Sequence, residues 1–230
     1  LIQAARQGAD LCVLPELALD EFFPLYKDTR YFAYAEELDG PTVRRFRSLA
    51  GELGIYLALP LFEKSLIGTY YNSLVLLTPE GTIGAVYRKV HVPCTRSYER
   101  YYFTPGPEFV ADTRYGKVGL AICYDRRYPE TCRELMKKGA RLILISISSS
   151  IMPGGFSELP VFETELKTRA FENQLFLAAC NRSGQEGEYT FFGHSMLLGP
   201  DGSVLAQADE AENVVVLAEM ELEDADRARI

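Results

Sequence analysis

The 230-residue chain is poor in the side chains from which metal centres and disulfide frameworks are built. It has two histidines, His91 and His194, and no CxxC pair. A zinc site is therefore poorly supported. His91 and Cys94 could share a metal, but two ligands without partners favour plain loop residues. The five cysteines, at 12, 94, 123, 132 and 180, are odd in number and irregular in spacing. They argue against a disulfide framework and for a reducing compartment, so a cytoplasmic location is expected. No apolar run approaches the ~20 residues of a membrane helix, and no leader peptide is visible. Positive charge is also short: 24 Lys and Arg against 32 Asp and Glu leave a net charge of −8. An acidic surface argues against nucleic acid and anionic membrane as partners. Linkers, low-complexity tracts and repeats are missing too, so one domain is expected over 1–230.

What is present is ordinary for a globular protein, with 47% hydrophobic residues and enough length for a sizeable core. Strands are expected near 11–15, 55–62, 118–123, 142–147 and 175–179, with helices over 42–53, 129–138 and 157–173. Pro41 opens the first helix and Gly139 closes the second. "TPEG" and "GPDG" mark two hairpins, and 214–218 is expected to close the sheet. The pattern is α/β with a mixed sheet. The opening "LIQAARQGADLCVLPE" lacks an initiator Met and starts inside a helix, while "ELEDADRARI" reads like a helix cut short. Trimming at both ends is expected.

In open α/β sheets, chemistry gathers beyond the carboxyl ends of strands. "GLAICYDRRYPE" (119–130) ends an apolar strand on Cys123 and turns at once into a helix. That geometry presents a thiol beside the following backbone N–H groups, as acyl transfer requires. A lone cysteine there is also a small hydrophobe, which is how Cys12, Cys132 and Cys180 read. Two other strand ends offer Glu16, in "LCVLPELALD", and Lys89, in "VYRKVHVP". Each alone reads as a surface residue; together the three supply base, cation and nucleophile. A papain-like pairing with His91 or His194 is the rival, but neither histidine has an evident orienting partner.

"ADLCVLPE", "YRKVHVP", "GLAICYDRRYPE", "RAFENQLFLAACNRSG" and "GHSMLLGPDG" occur in the order of the motif blocks of the nitrilase superfamily, the carbon–nitrogen hydrolases, which the chain resembles over nearly its whole length. The resemblance implies an α-β-β-α sandwich whose first strand would precede Leu1. It also implies a Glu16–Lys89–Cys123 triad, a second glutamate at Glu99 in "SYERYYFTPG", and dimers or higher oligomers, up to a tetramer, through the helices after Pro129 and over 157–173. Without it, Glu99 would read as a salt bridge to Arg96 or Arg100. The implied chemistry is release of ammonia from a small molecule through a covalent thioester, with Lys89 and the Tyr124 N–H stabilising the oxyanion. It needs no metal and no organic cofactor.

Arg126 and Arg127 suggest a carboxylate on the substrate, because a guanidinium fork matches it. "CYDRRYPE" resembles the N-carbamoyl-D-amino acid amidohydrolases, although Ser97 stands where those have histidine and Tyr124 where they have asparagine. An N-carbamoyl amino acid is thus the expected substrate, with Arg126 the better contact and Arg127 the more structural. An ω-amidase acting on a dicarboxylic monoamide and an N-carbamoylputrescine amidase are the alternatives, and a non-catalytic binding protein is a third. In "ISISSSIMPGG", Ser148 is a further substrate candidate beside Ser149 and Ser150; His194 is given no chemistry.

Overall fold

The computed structural model describes residues 1–107, 110–210 and 214–230. Two sheets stack face to face. The first has the order β1 (Leu11–Val13), β2 (Tyr56–Lys64), β3 (Tyr70–Leu77), β4 (Ile83–Arg88), with β1 parallel to β2 and the rest antiparallel. The second is built from β5 (Val110–Thr113), β6 (Gly116–Ile122), β7 (Leu142–Ile147), β9 (Phe176–Asn181), β12 (Met196–Leu198) and β13 (Val204–Gln207), in the order β13-β12-β9-β7-β6-β5. Its centre, β6-β7-β9, is parallel. A small third sheet joins β8 (Ser150–Ile151), β10 (Ser183–Glu186) and β11 (Tyr189–Phe192).

Hydrophobic burial fixes the layers. Leu74, Leu76 and Tyr87 of the first sheet pack against Leu120, Ile122 and Leu144 of the second. The outer face of the first sheet packs with Val43 and Ala50 of a helix over Pro41–Leu53. The outer face of the second packs on Cys132 and Leu135 of the Pro129–Lys137 helix, and on Phe162, Leu166 and Ala170 of the Leu159–Asn173 helix. This is the α-β-β-α arrangement. Numbered in chain order, the helices are α1 (Ile2–Arg6), α2 (Pro41–Leu53), α3 (Glu99–Tyr102), α4 (Pro129–Lys137), α5 (Leu159–Asn173) and α6 (Glu223–Arg227).

Both hairpins form where expected: β3-β4 around "TPEG" and β12-β13 around "GPDG". The expected closing strand over 214–218 does not form. An apolar, β-branched run becomes a strand only when a neighbour completes its hydrogen-bond ladder.

Candidate active site

Glu16 lies just past β1, Lys89 just past β4 and Cys123 just past β6, so the two sheets meet at the site. The chain is cross-bonded at this seam. Glu16 N–H donates to the Ile147 carbonyl at 3.3 Å, and Ser146 Oγ donates to the Leu14 carbonyl at 2.7 Å. Ser148 Oγ donates to the Glu16 carbonyl at 2.9 Å. Arg182 adds bonds to the carbonyls of Glu16, at 3.3 Å, and Leu17, at 3.0 Å. Two residues here have left-handed backbone, Leu17 with φ 49° and Cys123 with φ 45°. Such a conformation costs a non-glycine residue ~1–3 kcal/mol, and it falls at the nucleophile candidate itself and at the residue next to the base candidate.

Lys89 is wholly buried and bridges two acids. Its Nζ donates to Glu16 Oε1 at 2.7 Å and to Glu99 Oε2 at 2.6 Å. Glu99 is on the one-turn helix α3, with Ser97 Oγ 3.3 Å from its other oxygen. It joins neither Arg96 nor Arg100: Arg96 reaches Glu158 at 3.6 Å, and Arg100 Nε donates to the Val92 carbonyl at 3.0 Å. Asn72, the third residue of β3, adds a second donor to Glu16 Oε1 at 2.7 Å, and its backbone carbonyl accepts from Lys89 N–H at 2.9 Å. Sequence reading missed Asn72; the available signal was the polar pair Asn72 and Ser73 at the head of the apolar run Leu74–Leu77. Glu16 Oε2 is buried and, among the described residues, has no hydrogen-bond partner.

Burial pulls the Lys89 ammonium down, but Glu16, Glu99 and the Cys123 sulfur outweigh it and hold it above the ordinary lysine value. Burial drives Glu99 up and Glu16 repels its charge, so that even beside Lys89 it titrates at about 7. The Cys123 thiol is pushed up first by burial and then by Glu16; Lys89 and Arg126 pull it down without cancelling that. The resting group is therefore a thiol, which needs a base before it can attack. The charges that act on it are those of Glu16, Lys89, Arg126 and Glu99.

Cys123 opens a 3-10 turn, Cys123–Arg127, with Tyr124 in its first residues, where backbone N–H groups lack intrahelical acceptors. The arginines that follow are engaged. Arg126, 1% exposed, donates to Glu158 Oε2 at 2.6 Å and Ser149 Oγ at 2.9 Å, and pairs with Glu165 at 3.0 Å. Its Nη1 donates to the Cys123 carbonyl at 2.9 Å and lies 3.6 Å from Sγ. Arg127 pairs with the other Glu158 oxygen at 2.6 Å. Burial raises Glu158, but Arg126 and Arg127 overcome this and hold it below the usual carboxylate value. The structure thus differs from the sequence reading on two residues. Arg126 has its charge matched by two internal glutamates, and the Ser148 hydroxyl is used on the Glu16 backbone. Glu158 and Glu165 lie more than 30 positions beyond the arginines, at a separation that carries no local pattern.

His91 was read as lacking an orienting partner, and here too the structure differs. Its Nδ1 sits 3.0 Å from Asp125 Oδ1, and its ring stacks on Tyr128 with centroids 3.7 Å apart. His194 lies 3.6 Å from Glu163.

The family model for carbon-nitrogen hydrolases matches residues 1–230. The chain is 33% identical over 238 residues to an N-carbamoylputrescine amidase of Solanum lycopersicum, covering 97% of this chain and 79% of the relative. It is 31% identical over 243 residues to a citrullinase of Francisella tularensis, covering 100% and 83%. It is 34% identical over 233 residues to an omega-amidase of Xenopus tropicalis, covering 96% and 80%. A carbon-nitrogen hydrolase structure from Helicobacter pylori G27 superposes with a TM-score of 0.94 at 33% identity, covering 99% and 83%. A mutant amidase from Nesterenkonia sp. AN1, with the acetamide moiety of fluoroacetamide added covalently at its active-site cysteine, gives 0.83 at 28% identity, covering 97% and 82%.

Proposed function

We propose that this chain, which belongs to the carbon–nitrogen hydrolase family and is an amidohydrolase acting on non-peptide C–N bonds, releases ammonia from a small carbamoyl or carboxamide compound through a thioester at Cys123. Glu16 takes the thiol proton, and the thiolate adds to the carbonyl carbon. The oxyanion is met by Lys89 Nζ and the Tyr124 N–H. Protonated Glu16 gives its proton to the departing nitrogen, and the C–N bond breaks to leave ammonia and the thioester. Water, deprotonated by Glu16, then cleaves the intermediate, a thioester from a carboxamide or a thiocarbamate from a carbamoyl compound, and returns the thiol; the acyl part leaves as a carboxylic acid, or as a carbamate that loses carbon dioxide to give the amine. Glu99 holds Lys89 through a second hydrogen bond to Nζ.

The observation that carries this reading is the state of Glu16. One oxygen is fixed by Lys89 and Asn72, and the other is buried and, among the described residues, without a partner. A carboxylate so divided is oriented and still has an acceptor for a proton. The papain-like rival is disfavoured because, among the described residues, the His91 ring bonds to Asp125 and Thr131 and makes no hydrogen bond to Cys123.

For the substrate's far end, the double arginine favours a carboxylate, as in an N-carbamoyl amino acid or a dicarboxylic monoamide. With Arg126 matched by Glu158 and Glu165, Arg127, whose side chain is 28% exposed, is the arginine open to such a group, and Glu158 would have to release it. That neutralisation favours a second reading, a ureide without a carboxylate, of the kind the N-carbamoylputrescine amidase relative is named for. Ammonia release from N-carbamoyl-D- and L-amino acids, N-carbamoyl-β-alanine, citrulline, N-carbamoylputrescine and succinamate distinguishes the two. Cys123→Ala is expected to lower turnover at least about 10³-fold with an unchanged melting temperature. Turnover surviving in that variant would sink the nucleophile assignment.

Two further expectations belong to the same reading. The chain forms a homo-oligomer, a dimer or tetramer, through α4 and α5; Phe171 on α5 is 64% exposed, and light scattering that reads a monomer would end that idea. A cytoplasmic, reducing location suits five free cysteines.

A further inference from the structure

Asp125 is wholly buried, although it follows the nucleophile by only two residues. A buried carboxylate must be matched by donors, and here they come from both sheets. From the second sheet, Ile122 N–H, immediately before Cys123, donates to Oδ2 at 2.9 Å. From the first, Tyr87 OH donates to Oδ2 at 2.5 Å and His91 N–H to Oδ1 at 2.8 Å. Tyr87 is two residues before Lys89, and His91 is two residues after it. Val90 N–H also reaches the Tyr87 hydroxyl, at 3.3 Å. The His91 ring closes the cluster through Nδ1, 3.0 Å from Oδ1, with Thr131 Oγ1 at 3.4 Å. One side chain therefore grips the chain on both sides of Lys89 and on the near side of Cys123.

We propose that Asp125 is a positioning residue that fixes Lys89 relative to Cys123, so that the ammonium of one sheet meets the oxyanion generated on the other. A turn cap alone would need only the Ile122 N–H. The bonds to Tyr87 and His91 contribute nothing to the 123–127 turn itself, and they tie it to the segment that carries the cation. Misplacement of a reacting group by ~1 Å can cost about 100-fold in rate, so the effect belongs in kcat rather than in KM. The inference rests on the reading of Cys123 as nucleophile and Lys89 as oxyanion cation.

The test is Asp125→Asn, which keeps size and one acceptor oxygen but replaces the other by a donor. It is assayed with the compound of the panel above that is turned over fastest. The expected result is a kcat lower by about 30-fold or more, KM within about twofold, and a rate of Cys123 alkylation by iodoacetamide within about fivefold of wild type, since alkylation builds no oxyanion. Tyr87→Phe keeps the packed ring and removes one donor. It is expected to lower kcat about fivefold, and the two changes together are expected to cost less than the product of the two single losses. A rise in KM with kcat held would place Asp125 on the substrate and overturn the inference. Alkylation falling in step with kcat would show general collapse of the site, and kcat unchanged in both variants would show that the carboxylate positions nothing; either result also overturns it. Should Asp125→Asn fail to fold, Tyr87→Phe decides alone. Cys123→Ala runs alongside: if it still turns over, the underlying reading has failed; if it is dead while Asp125→Asn and Tyr87→Phe are unaffected, only this inference has.

Discussion

A buried ammonium between two carboxylates sets the electrostatics of the whole site. Burial, and after it the neighbouring Glu16 charge, raise Glu99 against the pull of Lys89, so that it titrates at about 7 instead of 4.5. The folded protein thus favours the protonated form of Glu99. The stabilisation from that proton is fully present below about pH 4.5 and is lost as pH rises through about 7. Glu99→Gln has no such titration. The melting temperature of wild type minus that of Glu99→Gln is expected to fall between about pH 5 and pH 8, measured by scanning fluorimetry in matched buffers; a flat or rising difference would show that the ionised pair with Lys89 is the preferred state. Glu16→Gln removes the proposed base but keeps an acceptor for Lys89, so turnover is expected to drop by about 10²- to 10⁴-fold with little change in stability. At this scale Glu16, Lys89 and Cys123 were proposed from strand ends and Glu99 only from the motif resemblance; the structure bonds Lys89 to both glutamates and sets Cys123 within reach of their charges. Their partners were not readable. Asn72, Glu158 and Glu165 are distant in sequence, and a serine or arginine beside a nucleophile does not announce whether it faces the substrate or the protein.

The elements place these side chains through backbone geometry that periodicity does not report. Lys89 follows β4, and its carbonyl accepts from Gly106 N–H at 3.0 Å. A Cβ on Gly106 would collide with the Arg88 Cβ and lie 2.7 Å from the Arg88 carbonyl oxygen. Glycine is needed here for close approach of two backbones, not for an unusual φ. Gly106→Ala is expected to cost ~1–3 kcal/mol in urea unfolding and to lower kcat by at least about tenfold, because relief of the clash moves the residue next to Lys89. Unchanged kinetics would mean that the 103–107 segment yields instead of β4. The longer elements were legible because their patterns run over many residues: α2 and α4 keep a helical apolar period, and β2, β6, β7 and β9 follow continuous apolar runs, all within a residue or two of expectation. The small sheet β8-β10-β11 was not. Its strands are two to four residues long, too short for alternation to register, and although β10 and β11 form a local hairpin, β8 joins β11 across about 40 positions.

For the molecule as a whole, residue patterning alone suggested a mixed sheet, and the motif resemblance was needed to divide the strands into two layers. The reason is physical. Strands such as β2, β3 and β7 are buried on both faces, so they read as continuous apolar runs without the alternation that would reveal which layer each face meets. That same two-sided burial makes the site a property of the stacked pair. Glu16 and Lys89 come from one sheet and Cys123 from the other, so neither layer holds a working site alone. Leu120 stands in the shared core with Leu74 and Leu76 opposite, fully buried. Leu120→Ala is expected to destabilise by ~2–5 kcal/mol. If the two layers act as one unit, the midpoint of thermal inactivation and the midpoint of global unfolding will fall together, to the same extent, in this variant. Activity vanishing well below the unfolding transition would show instead that the seam opens while both sheets persist. Side-by-side inactivation and near-ultraviolet dichroism melts of wild type and Leu120→Ala distinguish the two outcomes.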